Sequence, residues 1–83
     1  MVTVTVYSTG PSCIRCRMTI DKLQDKGVTP VVVQLAENPA AHEYVTEELD
    51  YSEAPVVVVE DGTGQDHWSG FRPDQIARVA RAA

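Results

Sequence analysis

Valine and threonine alternate from Val2 to Val6 and Tyr7 extends the run, so β-branched residues at a period of two predict a strand over residues 2–7. Gly10 and Pro11 end it. The period then lengthens. Cys16, Ile20 and Leu23 recur at helical spacing between Cys13 and Lys26, while Arg15, Met18, Lys22 and Lys26 form a second stripe and Gly27 offers a C-terminal cap. VVVQL, residues 31–35, is a short apolar run suited to a buried strand. Asn38 and Pro39 pair an N-cap with a first-turn proline, predicting a helix to about Asp50 with Ala41, Tyr44, Val45 and Leu49 on its inner face.

APVVVVE, residues 54–60, reads as another buried strand, and the DGTG that follows supplies a hairpin turn into a short strand around His67 to Gly70. Pro73 and Asp74 open a last helix with Ile76, Val79 and Ala80 inward and Asp74 spaced to pair with Arg78 on the surface. The order is βαβαββα. A right-handed βαβ unit, a helix and an antiparallel hairpin predict one four-stranded mixed sheet flanked by three helices. A chain of 83 residues is read as a single domain, residues 1–83.

Charge narrows the function classes. The net charge of −5 argues against nucleic acid, which needs a clustered basic surface. Between Ala36 and Asp66 there is no Lys or Arg, whereas Arg15, Arg17, Lys22 and Lys26 surround or follow the cysteines. No apolar run is long enough to cross a bilayer and no basic-then-apolar leader precedes the first strand, so a soluble, cytoplasmic monomer is expected.

The chain holds two cysteines, Cys13 and Cys16, in GPSCIRCR. A bridge between them closes so small a loop that it constrains little of the unfolded chain, which points to chemistry rather than to stapling. Both lie where the first strand passes into the first helix. There the backbone N–H groups and helix dipole, with Arg15 and Arg17 nearby, favour a thiolate at Cys13, making it the attacking sulfur. Cys16, one turn in, is placed to resolve a mixed disulfide. A zinc site is the alternative, but His42 and His67 are the only histidines, one expected in the second helix and one beside the hairpin. An interface role for the CxxC, without redox turnover, is the other non-enzymatic reading.

Pro55 at the start of a buried strand, in this context, predicts a cis Ala54–Pro55 bond that turns the Ala54 backbone toward an incoming extended chain.

These features together resemble the thioredoxin fold across nearly the whole chain. HWSGFRPDQI, residues 67–76, resembles the WSGFRPD motif of the NrdH-redoxins, and Tyr7-Ser8 and Ala54 to Val57 match that family as well. The resemblance implies a dithiol electron donor to the large subunit of class Ib ribonucleotide reductase, recharged by thioredoxin reductase with NADPH and holding no bound cofactor. From their expected positions around the cysteine end of the sheet, Ser12, Ile14, Arg15, Ala54, Pro55, Ser69, Gly70, Phe71 and Arg72 are expected to form the partner surface. A glutathione-dependent glutaredoxin or a general protein disulfide reductase is the alternative within the same chemistry.

Between the cysteines the family usually has an apolar residue followed by glutamine; Ile14 keeps the apolar character, whereas Arg15 departs from the pattern and either tunes the thiolate or reaches water. Trp68 either packs the hairpin or meets a partner. Arg72 is expected to brace its loop through carbonyl groups, and Tyr7 to pack under the cysteine turn with its hydroxyl bonded locally.

Overall fold

The computed structural model describes residues 2–10 and 12–82. Strand β1 runs Thr3–Ser8, helix α1 Ile14–Asp25, strand β2 Val31–Gln34, helix α2 Pro39–Glu43, strand β3 Val56–Glu60, strand β4 Gln65–Ser69 and helix α3 Pro73–Ala82. The strands lie in the order β2-β1-β3-β4. β1 is parallel to β2 and antiparallel to β3, and β3 is antiparallel to β4. This is the expected four-stranded mixed sheet with three helices, the thioredoxin fold. Gly10 follows β1; Pro11, read with it as the end of that strand, lies outside the described residues.

The sheet has an apolar layer on each face, which explains the unbroken valine run of β3. Val57 and Val59 join Val4, Val6, Leu23, Val28, Trp68, Ile76 and Val79 in one layer, where α1 and α3 pack side by side. Val56 and Val58 point the other way, to Leu35 and Val45, with Tyr7, Ala41, Tyr44, Leu49 and Tyr51 around them. A strand covered on both faces loses the alternation that a half-exposed strand shows.

VVVQL is not a buried strand. Pairing only with β1 puts β2 at the sheet edge, where Val31 and Val32 are exposed, and Leu35 turns inward only after the strand has ended. An apolar run therefore marked strand character correctly but not burial, because edge position follows from topology.

Asn38 caps α2 by accepting from the Ala41 N–H at 3.1 Å, as expected. The helix continues as a wider turn over Tyr44–Glu48, closed by the Leu49 N–H on the Tyr44 carbonyl at 3.1 Å. In α1, Cys16, Thr19 and Leu23 are the buried positions and Ile20 is half-buried against the core. Thr19 is tolerated inside because its hydroxyl donates to the Arg15 carbonyl at 2.8 Å.

The expected Asp74–Arg78 pair does not form. Asp74 is taken by Arg72, while Arg78 reaches across to Asp66 of β4 and to Gln75. Tertiary approach of β4 gives Arg78 a carboxylate outside its own helix. Among the described residues, no helix is long and apolar enough to cross a membrane.

Candidate active site

β1 delivers the chain to the cysteines through a turn that Ser8 holds: its buried hydroxyl accepts from the Gly10 N–H at 3.1 Å and contacts the Gly10 carbonyl at 3.3 Å. The Cys13 N–H returns to that same carbonyl at 3.1 Å. Cys13 is the N-cap of α1, and its Sγ accepts from the Cys16 N–H at 3.3 Å. A sulfur in this position receives a main-chain donor and the positive end of a 12-residue helix, both of which favour negative charge when the thiol is reduced. Cys13 and Cys16 are joined as a disulfide with Cα atoms 5.3 Å apart. Cys13 is partly exposed, whereas Cys16 is only 1% exposed.

The Ala54–Pro55 bond is cis, as the sequence context predicts. Pro55 is fully buried and Gly70 is buried, so these two residues offer a partner little side-chain surface. Ala54 is half-buried, Ser12 and Arg15 are exposed, and Ile14 is 72% exposed. A groove of about 640 Å³ gathers Arg15, Ser69, Gly70, Phe71 and Arg72 with Met18 and Glu53. Phe71 is half-buried against the core, and Met18 of α1 is exposed beside it, giving the groove an apolar floor.

Trp68 belongs to the core rather than to this surface: it is 5% exposed, opposite Val57 in the hairpin. Its indole N–H has no partner among the described residues. Arg72 braces its loop, but through a carboxylate rather than through carbonyls. Its Nε and Nη2 donate to the two Asp74 oxygens at 3.2 and 3.0 Å, and that contact holds the Asp74 carboxyl below the usual range.

Tyr7 is also placed differently from the expectation. Its ring lies 6.1 Å from that of Tyr44, on the α2 face of the sheet. Burial raises its pKa, and the neighbouring Tyr44 and Glu60 raise it further. Side chains alternate along β1, so Tyr7 falls on the face opposite Val6 and helix α1.

His42 lies in α2, and His67 lies in β4 with Nδ1 2.8 Å from the Tyr51 hydroxyl. Among the described residues no three His, Cys, Asp or Glu side chains come together in a metal-binding arrangement.

Glu53 escaped the sequence reading, although it directly precedes Ala54-Pro55. Its Oε1 accepts from the Ser69 hydroxyl at 3.3 Å and lies 3.4 Å from the place a Cβ on Gly70 would occupy. Gly70 has φ +81° and donates its N–H to the Pro55 carbonyl at 2.8 Å. Gly70→Ala is therefore expected to destabilise the fold by roughly 1–2 kcal/mol through left-handed backbone strain. Urea unfolding measures it, and an unchanged midpoint would remove the conformational argument.

A cysteine pair heading a helix and a cis-proline opening the third strand, set on this sheet, define a thiol–disulfide oxidoreductase of the thioredoxin fold. The glutaredoxin family profile matches residues 4–63. The glutaredoxin-like protein NrdH of Escherichia coli is 30% identical over 76 residues, which span 92% of this chain and 86% of that one. The gene 56 protein of a Mycobacterium phage is 37% identical over 73 residues, or 88% of this chain and 67% of that one. The solved structure of NrdH-redoxin from Escherichia coli, a glutaredoxin-like protein with a thioredoxin-like activity profile, superposes with a TM-score of 0.75 at 28% identity over 93% of both chains. The chain belongs to the glutaredoxin family, on its NrdH-redoxin branch.

Proposed function

We propose that this redox protein donates electrons to the large subunit of class Ib ribonucleotide reductase and is recharged by thioredoxin reductase with NADPH. The observation that carries the choice of reductant is the loop after β4. The Gly70 N–H is spent on the Pro55 carbonyl and is followed by Phe71 and the rigid Pro73, whereas a resemblance to the glutathione-using branch would imply small residues and open backbone donors in this stretch. That leaves a groove in which Met18 and Phe71 supply apolar surface among charged residues, with exposed Ile14 beside Cys13, an arrangement suited to a protein surface.

In this reading the electrons are carried by the two cysteine sulfurs alone, with no bound cofactor, and the protein works as a monomer. An NADPH-driven cycle suits a reducing, cytoplasmic compartment. Arg15 supports the competing glutathione reading, since an exposed cation in the groove attracts a tripeptide's carboxylates.

Turnover on oxidised class Ib ribonucleotide reductase separates the two. Rapid reduction is expected with NADPH and thioredoxin reductase, and little with glutathione and glutathione reductase. Efficient glutathione-driven turnover with thioredoxin reductase inactive would reject the proposal and leave an unusual glutaredoxin.

A further inference from the structure

We infer that Glu53 determines the charge specificity of disulfide exchange at this site, favouring a partner segment that brings a cation to its wall of the groove and disfavouring one that brings an anion. The inference concerns how a segment is selected and holds whichever protein supplies it.

Three observations carry it. Glu53 is exposed, yet its carboxylate is positioned: Oε1 takes the Ser69 hydroxyl at 3.3 Å and lies close against Gly70, so the charge is tied to the turn after β4. It shares the groove of about 640 Å³ with Arg15, which lies two residues beyond Cys13. The third charge lining that groove, Arg72, is offset by Asp74. Among the described residues Glu53 and Arg15 form no salt bridge, so the groove keeps one uncompensated charge of each sign, the cation on α1 and the carboxylate on the segment leading into β3. Met18 and Phe71 add apolar surface to the same groove. A groove built this way distinguishes charged segments because exposed charges within about 10 Å of one another remain only partly screened at ordinary ionic strength.

The test follows reduction of the oxidised protein by short cysteine peptides. A peptide thiolate attacks the Cys13 Sγ, the Cys13–Cys16 bond breaks and Cys16 leaves as a thiolate. A second peptide thiolate then attacks the mixed disulfide, releasing a peptide disulfide and the reduced protein. Peptides carrying Lys, Ser or Glu on either flank of the cysteine are compared, and each rate is divided by that peptide's rate with hydroxyethyl disulfide to remove differences in thiol reactivity.

For at least one flank, the wild-type protein is expected to prefer Lys over Glu by about threefold or more at low salt, a preference that flattens as salt shortens the screening length. Glu53→Gln should bring that ratio close to unity, and Ser69→Ala should lower it partway by releasing the carboxylate. Arg15→Gln should leave the Glu53-dependent preference in place. A Lys-to-Glu ratio unchanged in Glu53→Gln would overturn the inference, as would equal slowing of all peptides by that substitution, which would make Glu53 a structural brace.

Discussion

Cys16→Ser is expected to accumulate a stable mixed disulfide between Cys13 and an oxidised protein substrate, while Cys13→Ser accumulates none and both variants lose turnover. Cys13 is partly exposed and its Sγ accepts from the Cys16 N–H at the head of α1, where a thiolate is favoured. Cys16 is 1% exposed and cannot meet a folded partner first. In the expected forward reaction the Cys13 thiolate attacks one substrate sulfur and the other leaves as a thiolate. Cys16 then attacks the Cys13 sulfur, releases the reduced substrate and leaves the internal disulfide found in the structure. A serine hydroxyl at position 16 cannot perform the second attack, so the intermediate persists. Insulin serves as substrate, and the adduct is read by non-reducing electrophoresis and mass. Equal trapping by the two variants would reject this division of labour.

Leu23→Ala is expected to destabilise the protein by about 2–5 kcal/mol, the range for deleting a fully buried leucine side chain. Leu23 is 0% exposed within the layer that includes Val6, Val57, Trp68 and Ile76, and it anchors the helix that carries both cysteines. At about 4–8 °C per kcal/mol for a domain of this size, the midpoint should fall by roughly 10 °C or more. Ile14→Ala, on the same helix but 72% exposed, should change stability by no more than about 0.5 kcal/mol. Thermal and urea unfolding of the two variants make the comparison. A Leu23→Ala loss no larger than that of Ile14→Ala would contradict the placement of the core.

Both results turn on α1, and much of α1 is legible in its own residues. The spacing of Cys16, Ile20 and Leu23 sets its inner stripe, and Gly27 lies just past its end with φ +85°. The placement of Cys13 at its head is equally local, because capping and the helix dipole depend on a few consecutive residues. Pro39 after Asn38 and the glycines of the hairpin are likewise set by neighbouring residues. The WSGFRPD segment carried the resemblance to the NrdH-redoxins. Such features are short-range: their cause lies within a turn or two of chain.

What the sequence could not decide depends on which elements become neighbours in space. VVVQL and VVVV are alike as strings, yet β2 lies at the sheet edge with two exposed valines, while β3 is covered on both faces. Arg78 has an acidic residue at helical spacing, but β4 brings Asp66 within reach and that contact forms instead. Tyr7 takes the α2 face because the alternation of β1 commits Val4 and Val6 to the other. Glu53 is one carboxylate among nine between Ala36 and Asp66, with nothing in its immediate sequence to mark its charge. It becomes distinctive only when the β3–β4 hairpin carries Ser69 and Gly70 back beside it and α1 sets Arg15 into the same groove, since a charge's effect depends on the distance and screening between side chains and not on their separation along the chain.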